Sequence, residues 1–271
     1  MDVPPASSLA VAVYGRYVAP AMKGYTTTAG RGRTSFPSTR WPLILQAQGR
    51  TKGSPDMVVS ESRREAFETL ISDYWRPLYY FVRRRTNNVE DAKDLTQSFF
   101  TTLLDKDYLK DVRRERGRFR TFLLVALDHF LANEWDKRRA LKRGGGRQML
   151  SLDFEDAERH FARDFHERET PEKLYVRKWA QTLVAQVLDA LEEEYHAKGK
   201  ADLFAEIKPH LQGGKDYVEV AARLRLSVAN VKVLVHRARR RFGDLLRKRV
   251  RDTVRSEDEV EQELQELLSE L

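Results

Sequence analysis

The stretch Leu226–Phe242, LSVANVKVLVHRARRRF, decides how the chain is read. Val231, Leu234, Val235, Ala238 and Phe242 recur at three- and four-residue spacing, which gathers them on one side of an α-helix. Asn230, Lys232, Val233, His236, Arg237 and Arg240 fall on or near the other side. Just before it runs KDYVEVAARLRLS, residues 215–227. There Asp216 and Glu219 have the spacing of a capping box for a short helix. Ala221 and Ala222 are small enough to let a second helix approach, Leu226 is apolar in the turn, and Ser227 can accept from the first free N–H groups of the next helix. Helix, short turn and capped helix with a basic outer side is the grammar of a helix-turn-helix. Its second helix would enter the major groove, where Arg or Lys reads guanine and Asn reads adenine. The plain alternative is a basic helix whose charges are simply solvated; cap, small residues and turn arriving together favour DNA. Arg225 stands where glycine would be easiest, since a non-glycine residue at positive φ costs about 1–2 kcal/mol. The turn must therefore avoid that conformation or absorb the cost.

The whole chain has the charge to match. Its 271 residues carry 49 Lys and Arg against 41 Asp and Glu, a net charge of +8. That surplus favours polyanions, although a ribosome-like or membrane-surface role fits the charge equally well. There is no cysteine, which excludes disulfides, thiolate metal sites and cysteine nucleophiles and suits a cytoplasmic setting. The longest purely apolar runs, such as Phe122–Leu127, are too short to span a bilayer. SSLAVAVYG near the start has no basic segment before it, so it is not read as a signal peptide.

Nothing along the chain alternates like a strand. The expectation is an all-α protein with two helical domains joined by a linker, the C-terminal one containing the helix-turn-helix. Residues 1–33, rich in Pro, Gly, Ser, Thr and Ala, read as a disordered extension, with an over-extended start codon as an equal explanation. Residues 34–62 form a helical lead-in that opens on SFPSTRWPLILQAQG, and 63–143 the first domain. There Phe67, Leu70, Ile71, Tyr74, Trp75, Leu78, Tyr79 and Val82 make one helical stripe, with a kink or restart expected at Pro77. Asn88, with Asp91 three residues on, caps the next helix, whose inner face is Val89, Ala92, Leu95, Phe99 and Leu103. A third helix covers about Arg120–Leu141. Residues 144–170 read as an acidic, poorly periodic linker with room for a short helix.

Thr170-Pro171-Glu172 then starts the second domain, 171–255. Val176, Ala180, Leu183, Val184, Val187, Leu188 and Leu191 are its first stripe, and a shorter helix follows near Leu203–Leu211. Residues 256–271 form an acidic helix with Val260, Leu264, Leu267, Leu268 and Leu271 in line. It either packs back on its own domain or regulates, by covering the basic face or docking on a partner.

Two further patterns narrow the function. In VEDAKDLTQSFFTTLL, Asp91, Asp94, Gln97 and Ser98 lie opposite Val89, Ala92, Leu95 and Phe99. That leaves an acidic strip suited to a basic protein partner, although most such strips are only solvated. In RRERGRFRTFLLVALDHFLANEWDKRRALKR, basic residues alternate with aromatics. Phe119, Phe122, Phe130 and Trp135 fit a core equally well as rings that hold unstacked bases.

DAKDLTQSFF, then RFRTFLLVALDHFLANEWDKRRA, then DYVEVAARLRLSVANVKVLVHRARRRF, in that order and spacing, resemble a bacterial RNA polymerase sigma factor of the extracytoplasmic-function group of the sigma-70 family. The resemblance runs from about Phe67 to the end of the basic helix. SFPSTRWPLILQAQG and the KRGGG stretch are similar to a long-linker branch of the group.

The resemblance implies a protein without bond chemistry, metal or cofactor. Such a protein binds core RNA polymerase, at the beta-prime clamp and the beta flap, and directs promoter recognition, melting and initiation. By position, Asp91, Asp94, Leu95, Gln97 and Phe100 would dock on the clamp. The loop from Arg113 through Arg118 to Phe119, with Arg120, would capture a flipped base of the minus-ten element. His129 stands where Asn is frequent, and Asn133, Arg138 and Arg139 would follow the neighbouring duplex. Asn230, Lys232, Val233, His236, Arg237 and Arg240 would face the minus-35 element; many members have Ser then Arg at the places of Val233 and Leu234. Promoter DNA and an anti-sigma or other regulatory protein are the further partners, with no membrane.

Two other classes compete. A stand-alone helix-turn-helix repressor or activator would need no docking face on residues 91–100. A metal enzyme would draw on Asp153, Glu155, Asp156, Glu158, His160 and His166, but these lack any paired ligand spacing, and GGGR is no phosphate loop.

Overall fold

The computed structural model describes residues 56–105, 109, 117–140, 152–164, 169–212 and 216–271. The 1–33 extension, most of the lead-in, Arg113 and the KRGGG stretch lie outside them. Every regular element among the described residues is helical. Contacts group them into two compact units: residues up to Trp179 with Asp252–Arg255, and Ala180–Arg251 with Ser256–Leu271.

The first unit is built on α1 (Asp56–Arg85), which α2 (Val89–Asp105) packs against, followed by α3 (Phe119–Ala140), α4 (Phe154–Asp164) and the beginning of α5 (Pro171–Ala197). The expected α1 stripe is buried apart from the half-buried Trp75, and Tyr80 and Phe81 on the other flank are buried as well. The reason is that helices cover α1 on more than one side. The Tyr80 ring stacks on Phe161 at 5.7 Å and its hydroxyl donates to the Ala157 carbonyl at 3.0 Å. Tyr79 meets Phe154 at 5.1 Å, and Phe81 meets Tyr175 edge-on at 6.5 Å. α1 continues unbroken through Pro77 rather than restarting there. Asn88 caps α2, its side-chain oxygen accepting from the Glu90 N–H at 2.9 Å.

Two boundaries differ from the sequence reading. Within residues 144–170, Phe154–Asp164 is a helix whose Phe154, Ala157 and Phe161 are core residues of this unit. Ion pairs hold it down, Arg76 to Asp156 at 2.6 Å and Arg83 to Glu158 at 3.0 Å. Burial opposes the charge on Asp156, but Arg76, then His160 and Arg159, outweigh it and keep the carboxyl below its usual range. Its stabilising contribution is therefore present above the ordinary carboxylate range and lost as pH falls through the lowered value. The units also divide after Trp179 rather than at 171, because Leu174, Tyr175 and Trp179 are buried against first-unit aromatics. Thr170 caps α5 as expected, accepting from the Lys173 N–H at 3.3 Å.

The second unit contains the rest of α5, then α6 (Ala201–Ile207), a 3₁₀ turn (Lys208–Gln212), α7 (Val218–Leu224), α8 (Val228–Arg251) and α9 (Glu259–Ser269). α8 is the hub, in contact with α6, the 3₁₀ turn, α7 and α9. It buries Val231, Val235, Ala238, Phe242, Leu246 and Val250, while Leu234 stays half-buried. At the start of α7 the expected capping residue is displaced by one: Tyr217 is the N-cap, and Asp216 accepts from the Val218 N–H at 3.0 Å. α9 packs on α8 through Val260, Leu264 and Leu267, and Arg247 pairs with Glu261 at 2.8 Å. Leu268 and Leu271 are only partly covered.

The α7–α8 turn does not avoid the left-handed conformation. Arg225 has φ 53° and ψ 41°. Its N–H donates to the Ala222 carbonyl at 3.2 Å and the Leu226 N–H to Ala221 at 2.9 Å, the paired bonds of a Schellman ending. Ser227 then caps α8, accepting from the Asn230 N–H at 3.1 Å. Arg225→Gly is accordingly expected to stabilise the chain by about 1 kcal/mol, the side-chain strain removed outweighing the added unfolded-state freedom. An unchanged or lower urea midpoint for the full-length variant would count against strain at this residue.

Candidate nucleic-acid interface

α8 and its neighbours contain many cations, and their partners sort them. Arg223 pairs with Glu206 at 2.6 Å, and the bond raises its pKa. Arg241 is bound to Glu194 at 2.9 Å; that hydrogen bond, against the opposing effect of burial, holds the carboxyl below its usual range. Arg247 and Arg251 are taken by Glu261 and Glu257 of the C-terminal acidic segment. Arg239 donates to the carbonyls of His210 at 2.7 Å and Leu211 at 3.2 Å, closing the end of the 3₁₀ turn.

Apart from Lys248 further along, the basic residues of α8 that remain are Lys232, His236, Arg237 and Arg240. All four are exposed, and among the described residues none of them makes a hydrogen bond or ion pair. At about 100° per residue they share a face with Asn230 and Val233, opposite the buried Val231, Val235, Ala238 and Phe242. No acid interrupts this face before Asp244. The result is an uncompensated cationic surface over the first turns of a helix whose position is fixed by its other side. α9 covers the far end of α8 and leaves these residues exposed.

Arg239 and Arg237 make a matched pair for experiment. Removing Arg239 leaves two backbone carbonyls without their donor, so Arg239→Ala is expected to lower stability by about 1–3 kcal/mol. Arg237→Ala touches no internal bond and should stay within about 0.5 kcal/mol of the parent. Chemical denaturation of the two variants checks this; equal effects would mean the sorting is wrong.

The expected docking strip on α2 is narrower than its sequence suggests. Asp94 is exposed, without an ion pair among the described residues, and Asp91 and Gln97 are half-buried. Ser98, however, is buried, and so are Leu95 and Phe100, because α2 lies in contact with both α1 and α3. Leu95 and Phe100 are packing residues here, with Phe100 edge-on to Phe99 at 5.6 Å.

The base-capturing set also divides. Phe119 is 1% exposed. Its ring is edge-on to Tyr74 at 5.4 Å and stacked on Phe122 at 5.9 Å, and its N–H donates to the Thr253 carbonyl at 3.3 Å. Arg120 is buried as well, and its carbonyl accepts from the Tyr175 hydroxyl at 3.0 Å. Phe119 and Arg120 therefore hold the first unit together instead of presenting themselves to a base. Phe130 is core, whereas Phe122 and Trp135 are half-buried. His129 and Asn133 are exposed on α3, near the exposed Val125 that the sequence did not single out, and Arg118 is partly exposed. Arg113 and the side chains of Arg138 and Arg139 lie outside the described residues.

Among the described residues no group of three or more His, Cys, Asp or Glu side chains could hold a metal, and no helix is long and apolar enough to cross a membrane. No protein-family model matches the chain, nor does a curated protein or a solved structure.

Proposed function

We propose that this chain is a sigma factor of the extracytoplasmic-function type. In this reading α7 and α8 are a helix-turn-helix that places α8 in the major groove of the minus-35 element, and α2 docks on the clamp of core RNA polymerase. The observation that supports it best is the sorting of charge on α8. Arg239, Arg241, Arg247 and Arg251 are neutralised or used as struts, while Lys232, His236, Arg237 and Arg240 make no such bond among the described residues. The opening turns of a second helix are where base edges are contacted in this motif. A helix made only for solubility has no reason to segregate its charges in this way.

The exposed Asp94, with Asp91 and Gln97 beside it, supplies a small acidic surface for a basic groove on a protein partner. Such a protein performs no bond chemistry. It binds the catalytic core and tethers two modest DNA contacts, which become one strong interaction through effective concentration. A helix-turn-helix regulator acting alone would use the same α8 face and have no use for the α2 surface. Purified full-length protein mixed with bacterial core RNA polymerase and promoter-bearing DNA separates the two: association with the core and specific initiation support the sigma reading, and tight duplex binding without association supports the regulator.

A further inference from the structure

The centre of the exposed α8 face is not a cation. It is Val233, 47% exposed and opposite the buried Val231, Val235 and Phe242. Asn230 and Arg237 lie one turn before and after it, with Lys232, His236 and Arg240 around them. Val233 is one of the large apolar side chains left exposed among the described residues, and it is set within a basic face. It makes no sense as a phosphate contact.

Within the major groove one base offers an apolar group: the C5-methyl of thymine. We propose that Val233 packs on a thymine methyl, so that the duplex recognised by α8 carries a thymine at the base step reached by the second turn of the helix, flanked by the pairs that Asn230 and Arg237 address. The proposal rests on the DNA-binding reading and adds to it a base identity. Its basis is charge complementarity around an apolar centre. The surrounding cations select a polyanion rather than an apolar protein groove, and within a polyanionic duplex the thymine methyl is the surface a valine fits. β-Branching helps, because in a helix the Val side chain holds one preferred rotamer and loses little freedom on contact.

The test removes only the methyl group. Duplexes enriched from a random library by the full chain, alone and in the presence of bacterial core RNA polymerase, define the preferred site. Each thymine in that site is then replaced singly by uracil. One replacement should weaken binding by about fourfold, the effect of one buried methyl, and the same replacement should have no effect on the Val233→Ala protein. If a preferred site emerges but no uracil weakens binding, or the loss is equal in Val233→Ala, then Val233 reads no methyl while the DNA-binding reading stands. If neither condition enriches any sequence, the DNA-binding reading itself fails and this assignment goes with it.

Discussion

Replacing Lys232 and Arg237 together with alanine should lower the affinity of the full chain for its preferred duplex by about a hundredfold, as expected for two contacts each worth about 1–3 kcal/mol. The slope of log affinity against log salt should also become shallower by up to about two, since each lost phosphate neutralisation removes about 0.9 from it. Both effects follow from the same observation: the two side chains are exposed and, among the described residues, make no hydrogen bond or ion pair that would compete with DNA. The fold should be untouched, because neither supports another element. An equally basic pair gives the contrast. Replacing Arg247 and Arg251 should leave the salt slope nearly unchanged, as Glu261 and Glu257 already neutralise them. Titrations of the parent and the two double variants across a salt series decide it. If both pairs change the slope equally, α8 binds through its total charge and the face has no special role.

The second large effect concerns stability. Phe242→Ala should destabilise the chain by about 3–5 kcal/mol, the range for truncating a buried Phe without collapse of the space it leaves. Phe242 is 1% exposed on α8, the helix that α6, the 3₁₀ turn, α7 and α9 all touch. With folded domains typically stable by only about 5–15 kcal/mol, such a loss should be visible as a large fall in the denaturation midpoint and as loss of DNA binding at elevated temperature. Val233→Ala, nine residues earlier on the opposite side, should change stability by less than about 0.5 kcal/mol. A small effect for Phe242→Ala would mean that the core of this unit lies elsewhere.

How much of this could be read from residue order follows from how far each determinant acts. Helices with one buried side were legible, because spacing alone sets which residues face inward: Val231, Val235, Ala238 and Phe242 on α8, and most of the α1 stripe, are buried as spaced. Caps at Asn88, Thr170 and Ser227 were legible too, since a cap acts within three residues. What spacing could not show was burial on a second side. Tyr80 and Phe81 lie off the α1 stripe and are buried by α4 and α5, which come far later in the chain. The same cause removed Ser98, Phe100, Phe119 and Arg120 from the surface, whereas Leu95 is buried on the side its spacing gave it.

Charge pairing was the other hidden quantity. In HRARRRFGDLLRKRVR the arginines look alike, yet Arg239 bonds carbonyls at 210 and 211 and Arg241 reaches Glu194. Those partners lie far from them in sequence, so no local pattern distinguishes strut from free cation. Phe154–Asp164 was missed as core for a third reason. Its three core residues are separated by charges that make ion pairs to α1, so it read as an acidic segment.

The most direct test of the central claim is promoter-specific transcription by bacterial core RNA polymerase reconstituted with the full-length protein and with a variant carrying Asp94→Arg and Gln97→Ala. The parent should associate with the core and start transcripts at defined sites, and the variant, equally stable, should do neither while still binding duplex through α8. A parent protein that binds duplex tightly but never associates with the core would contradict it, as would a variant that initiates as well as the parent.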